Sequence, residues 1–86
     1  MTGALYEVEL EPWVRDQILN LPRHLQRAIV SLLARLGEEP RPRGFEKLES
    51  DAVRIVGAGC RITFWIDDAN RIVTVTRVAA ELDRPG

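Results

Sequence analysis

Leu25, Ala28, Ile29, Leu32, Leu33 and Leu36 fall at i, i+3, i+4, i+7, i+8 and i+11. That spacing puts these apolar side chains on one stripe of an α-helix, wide enough to face a core. Arg23, Arg27, Ser31 and Arg35 take the opposite side. A one-sided helix must bury its stripe against a second layer, and the rest of the chain must supply that layer. Length tightens the demand, because 86 residues make one domain, 1–86, with a single modest core.

The second layer is legible between residues 44 and 78. Three β runs are expected at Val53–Val56, Cys60–Ile66 and Arg71–Val78. Gly57-Ala58-Gly59 turns the first into the second, and Asp67-Asp68-Ala69-Asn70 the second into the third. In the middle run Cys60, Ile62, Phe64 and Ile66 share one face, and Arg61, Thr63 and Trp65 the other. The apolar face is expected against the helices. The last run is apolar on both faces in part (Ile72, Val73, Val75, Val78), which predicts a central strand.

The chain before residue 23 adds two elements. Leu5–Leu10 alternates, with Tyr6, Val8 and Leu10 opposite Glu7, Glu9 and Glu11, as in a half-buried strand. Pro12 suits the first turn of a helix. Trp13, Val14, Ile18 and Leu21 form its stripe, with Trp13 expected in the core, and Asn20-Leu21-Pro22 ends it. Gly37 is expected as a left-handed cap of the long helix. Residues 37–44, GEEPRPRG, read as a loop anchored by Phe45 and Leu48, and Ala79–Gly86 as a frayed or partner-dependent tail. The order β-α-α-β-β-β predicts a two-layer α+β domain, an antiparallel sheet packed on an αα-hairpin.

Composition narrows the chemistry. A net charge of −1 does not mark a nucleic-acid binder by itself. No apolar run approaches the roughly 20 residues that span a bilayer, and MTGALYEVEL has no basic stretch ahead of an apolar one. With a single Cys, this points to a cytoplasmic protein with no membrane partner. One His and one Cys cannot build the usual metal sites, and no glycine-rich phosphate loop is present, so no metal or cofactor is expected. Lys47 is the only lysine among twelve basic residues, a bias that either base composition or phosphate recognition by planar guanidinium forks would produce.

The basic side chains of the meander are the candidates for chemistry. Arg61 and Arg54 lie on strands and could stabilise charge on a phosphate; the plainer alternative is a solvated or Glu-paired arginine. Lys47, Arg41 and Arg43 could hold backbone phosphates, although Glu38, Glu39, Glu46 and Glu49 dilute their field. Trp65, beside Arg61 in face, could stack a base or simply cover the sheet. His24 is expected at the surface, Asp67 and Asp68 as turn formers, and Cys60 as a buried inert thiol.

Taken in order, several stretches resemble the RelE/ParE superfamily of bacterial type II toxins. They are Tyr6-Glu7-Val8 before a Pro-started helix, Leu21-Pro22 between helices, and Phe45-Glu46-Lys47-Leu48 before the meander. Val53-Arg54-Ile55, Cys60-Arg61-Ile62-Thr63-Phe64 and Ile72-Val73-Thr74-Val75-Thr76-Arg77-Val78 follow the superfamily's strand patterns. The resemblance covers roughly residues 5–80. It implies a toxin that a helical antitoxin segment wraps. RelE-like members cut mRNA on the ribosome through 2′-hydroxyl attack, without metal; ParE-like members inhibit DNA gyrase. It also implies Arg54 and Arg61 as catalytic residues, with Lys47 and Arg77 as further basic groups toward RNA; RNA contact by Arg41, Arg43 and Trp65 is expected from the residues themselves. Ala79-Ala80-Glu81 departs from the Gly-His-Arg or Gly-Lys-Arg of RelE-like toxins, and Val56 stands where a second basic residue often sits. No Tyr follows Tyr6 and no His follows His24. Three readings therefore stay open: a RelE-like mRNA endonuclease, a ParE-like or degenerate toxin that acts by protein binding, and an α+β interaction module without toxicity.

Overall fold

The computed structural model describes residues 5–81. The chain runs β1 (Glu7–Leu10), α1 (Pro12–Leu19), α2 (Arg23–Glu38), β2 (Glu46–Lys47), β3 (Val53–Gly57), β4 (Cys60–Asp67) and β5 (Ile72–Ala80). The strands form one sheet in the order β1-β5-β4-β3-β2. Both helices contribute to the core on one face, as expected of a two-layer α+β domain. The expected antiparallel meander is present, but β1 runs parallel to β5, so the sheet is mixed. β2 is a further edge strand of two residues, too short to show a period in sequence. No helix among the described residues is long and apolar enough to cross a membrane.

The α2 stripe does what its spacing demands. Ile29 and Leu36 are buried, with Leu25, Leu32 and Leu33 packed around them. Val14 of α1 joins them against Ile55, Cys60, Ile62, Phe64, Val73, Val75 and Val78 of the sheet. Each large side chain buried there contributes about 1.5–3 kcal/mol of transfer free energy. Cys60 is fully buried, and burial pushes its thiol pKa up, so it packs as a small apolar group.

β5 is central, between β1 and β4. Its mixed apolar pattern has a second cause. Thr63 pairs with Arg77 but Phe64 pairs with Val75, so Thr76 is an extra residue on β5. Val73 and Val75 face the core before this bulge and Val78 after it. A strict period of 2 cannot describe such a strand.

Trp13 departs from expectation. It is 52% exposed rather than buried, and its Nε1 donates to the Thr76 carbonyl at 2.7 Å. The reason is the end of β1 at Leu10, opposite Val75. Beyond that point the β5 edge would lie open. The Glu11 amide donates to the Val75 carbonyl at 3.1 Å, and the Val78 amide donates to Gln17 Oε1 at 2.8 Å. Side chains of α1 thus continue the cover that β1 begins.

Gly37 also departs. It sits inside the last turn of α2, and the described left-handed glycines are Gly44 and Gly59. The Tyr6 amide donates to the Gly37 carbonyl at 2.7 Å, and a Cβ at Gly37 would stand 3.1 Å from the Tyr6 carbonyl oxygen. Glycine relieves that tight approach rather than making a left-handed turn. Phe45 is another correction: it is exposed, while Leu48 is half-buried and its amide donates to the Ala52 carbonyl at 2.8 Å. The strand expected to fray after Val78 continues through Ala80, and residues 82–86 of the tail lie outside the described residues.

Candidate functional site

Pairing register decides which side chains share the face of the sheet away from the helices. Arg54 of β3 pairs with Thr63 of β4, and Thr63 with Arg77 of β5. In the next row Val56 pairs with Arg61, and Arg61 with Ala79. Residues directly opposite one another in an antiparallel pair point to the same side, and the core-facing set is Ile55, Ile62 and Val78. Arg54, Arg61 and Arg77 therefore lie on one end of the open face. With strands about 4.8 Å apart, the Arg54 and Arg77 backbones lie roughly 10 Å from each other.

Trp65 shares this face, two residues along β4 from Thr63 and opposite Thr74. It is 43% exposed, which leaves part of its ring surface available. On the far edge Glu7 pairs with Ile72 and Glu9 with Thr74. The open face is thus basic toward the β3–β4 hairpin and acidic toward β1, with Trp65 between. That gradient is invisible in the net charge.

Each strand arginine near the hairpin has a carboxylate neighbour. Arg54 donates from Nη2 and Nε to one oxygen of Glu46, at 2.7 and 3.1 Å. Glu46 lies directly opposite Arg54 across the β2–β3 pair. Arg61 Nε stands 3.2 Å from Glu81 Oε1. Arg77 makes no ion pair among the described residues.

The remaining basic candidates lie elsewhere. Lys47 pairs with core-facing Val53, so it projects to the helix side of the sheet, 3.5 Å from Asp51. Arg41 forks onto Asp68 at 3.1 and 2.8 Å, and the Tyr6 hydroxyl donates to the same carboxylate at 2.6 Å. Arg41 and Lys47 line one cavity of about 240 Å³ with Phe45 and Ile66. Arg43 borders another of about 370 Å³, floored by Leu32, Leu36 and Ile55. The loop cations thus sit apart from the Arg54–Arg61–Arg77 group.

Asp68 does more than form a turn. The Arg41 fork and the Tyr6 hydroxyl hold its pKa down at about 2, and the same hydrogen bond raises that of Tyr6. This cluster ties β1, the 39–44 loop and the β4–β5 turn together. Asp67 behaves as expected, accepting from the Asn70 side chain and amide, which lower its pKa. His24 is exposed on α2.

In sequence Glu46 counts only as a charge that dilutes the basic loop; the structure makes it the partner of Arg54, the Glu-paired alternative expected for that arginine. Its carboxylate lies beside the Arg54 guanidinium on the open face. The signal was its offset from Arg54, which matters only once β2 is known to pair with β3.

No family model and no curated protein matches the sequence. Solved structures do match the fold. The RelBE2 toxin–antitoxin complex of Mycobacterium tuberculosis superposes with a TM-score of 0.84 at 24% identity, covering 95% of this chain and 98% of that one. The archaeal RelE–RelB complex of Pyrococcus horikoshii gives 0.81 at 20%, covering 93% and 99%. The isolated RelE toxin of Escherichia coli gives 0.76 at 17%, covering 92% and 87%. From β1 through β5, this chain carries the fold of the RelE toxins.

Proposed function

We propose that this chain is a RelE-like toxin that cuts mRNA on the ribosome, working through the open face of its sheet. The observation that carries this reading is the placement of Arg54, Arg61 and Arg77 at one end of that face, with Trp65 beside them. Cleavage of RNA by its own 2′-hydroxyl needs a proton acceptor and cations for the charge that builds on the phosphorus oxygens. The guanidinium groups supply the cations. Glu46, 57% exposed and held by Arg54, supplies an acceptor for the 2′-hydroxyl proton. The 2′-oxygen then attacks phosphorus, the bond to the 5′-oxygen breaks, and water protonates the departing oxygen. Among the described residues of the open face no His or Tyr is present to do so, and slow cleavage is the expected consequence.

The partner in this reading is an antitoxin, as in the RelB-bound complexes that share the fold. A groove of about 400 Å³ between β1 and α2, lined by Leu5, Val8, Leu10 and Leu33, offers it apolar surface. The place of action is the cytoplasm, on translating ribosomes.

A second reading is inhibition of a protein target such as DNA gyrase. Val56 and Trp65 favour it, because they expose apolar surface on the same face as the arginines. Inducible expression separates the two. Growth arrest with new mRNA ends inside ribosome-protected stretches supports the nuclease. Arrest with intact mRNA and poisoned gyrase overturns it.

A further inference from the structure

The arginine–carboxylate pairs differ in grip. Arg41 meets Asp68 through two donors and two acceptors, at 3.1 and 2.8 Å. Arg54 gives two donors to Glu46, the shorter at 2.7 Å. Arg61 approaches Glu81 only through Nε, at 3.2 Å, and that N–H is not aimed at the carboxylate. Nε is shielded from water and has no hydrogen-bond acceptor among the described residues. The pair is an electrostatic contact without a hydrogen bond.

Glu81 is nevertheless held in place. Its amide donates to the Gly59 carbonyl at 2.8 Å, fastening the end of β5 to the β3–β4 hairpin. The carboxylate is therefore tethered beside Arg61 by its backbone while its hold on the guanidinium is poor. A phosphate brings more acceptors and can align with the guanidinium fork. Ala79, the β5 neighbour of Arg61, carries only a methyl group beside it.

We propose that Glu81 is an internal counter-anion for Arg61 that an incoming RNA phosphate displaces, so that Glu81 sets how tightly the open face holds RNA. The identity of the ligand as RNA rests on the toxin reading; the competition for Arg61 does not. The cost of the displaced contact is that of an exposed ion pair, so removing the carboxylate charge should tighten phosphate binding about two- to fivefold.

The test uses two probes on the full chain. Inorganic phosphate is titrated while the Arg61 Nε resonance is followed, and a 2′-O-methyl RNA tetranucleotide is titrated by fluorescence anisotropy. Glu81→Gln should lower both midpoints by about two- to fivefold at low salt. Arg61→Ala/Glu81→Gln should bind the tetranucleotide no more tightly than Arg61→Ala. Unchanged midpoints in Glu81→Gln overturn the proposal, as does a gain that survives without Arg61. A lower phosphate midpoint with an unchanged RNA midpoint overturns its RNA part. If both midpoints fall and no variant cuts mRNA on ribosomes, Glu81 keeps its role and the nuclease reading fails.

Discussion

Glu46 Oε1 lies 2.7 Å from Arg54 Nη2, across a two-residue strand that exists only because β2 pairs with β3. In the proposed reaction, this contact puts the proton acceptor and a cation for the phosphate side by side. Glu46→Gln keeps the shape and removes the basic lone pair. It should slow single-turnover cleavage about 10²–10⁴-fold, the range for losing a general base. RNA affinity should fall little, so the effect is read in the rate, not the midpoint. A Glu46→Gln protein that cuts at the parent rate removes Glu46 from the chemistry.

The Asp68 cluster makes stability depend on acid. Its carboxyl titrates at about 2 in the fold against 3.8 ordinarily, so the unfolded chain binds more protons in between. The contribution is complete above about pH 4 and is lost as pH falls through 4 toward 2. Arg41→Ala and Tyr6→Phe should each flatten this part of the profile in urea unfolding between pH 2 and 5. An unchanged slope in Arg41→Ala would show that the fork does not hold the carboxyl down.

The α1 clamp on β5 is testable at one amide. Gln17→Ala leaves the Val78 N–H without its acceptor, which costs about 1–3 kcal/mol if water does not replace it. Hydrogen exchange at Val78 should accelerate more than at Val73, which β1 covers. Equal acceleration at both would mean that the loss is global and that Gln17 is no local clamp.

Ala58 holds a left-handed conformation, φ 55°, next to Gly59 at φ 82°. A two-residue turn with both angles positive favours Asn before Gly. Ala58→Asn should raise stability by up to about 1 kcal/mol, since a left-handed Ala costs roughly 1–2 kcal/mol. A lower unfolding midpoint would show that the turn is not under this strain.

Much of this architecture was legible because it follows from period. The Leu25–Leu36 stripe and the Cys60–Ile66 alternation each name their buried face, and that alone turns Arg61, Thr63 and Trp65 outward. What escaped was decided by neighbours in space. Trp13 reads as core until β1 is seen to stop short and leave the β5 edge uncovered. Gly37 reads as a cap until Tyr6 packs onto it. Thr76 hides a bulge that no alternation reveals. Lys47 reads as a phosphate-holding cation like Arg54, yet its pairing with Val53 turns it to the helix side, where it shares a cavity with Arg41. The pairing of Glu46 with Arg54 was silent because β2 has too few residues to carry a pattern.

The central claim is that Arg54, Arg61 and Arg77 work together on an RNA phosphate. Its direct measurement is cleavage of a defined mRNA on purified translating ribosomes, with the 3′ products resolved. The parent protein should leave 2′,3′-cyclic phosphate ends within the ribosome-bound codon. Arg61→Ala should lose at least about 10²-fold in rate, as for removal of one donor to a developing oxyanion. Parent protein that leaves the mRNA intact, or Arg61→Ala that cuts at the parent rate, would contradict the account.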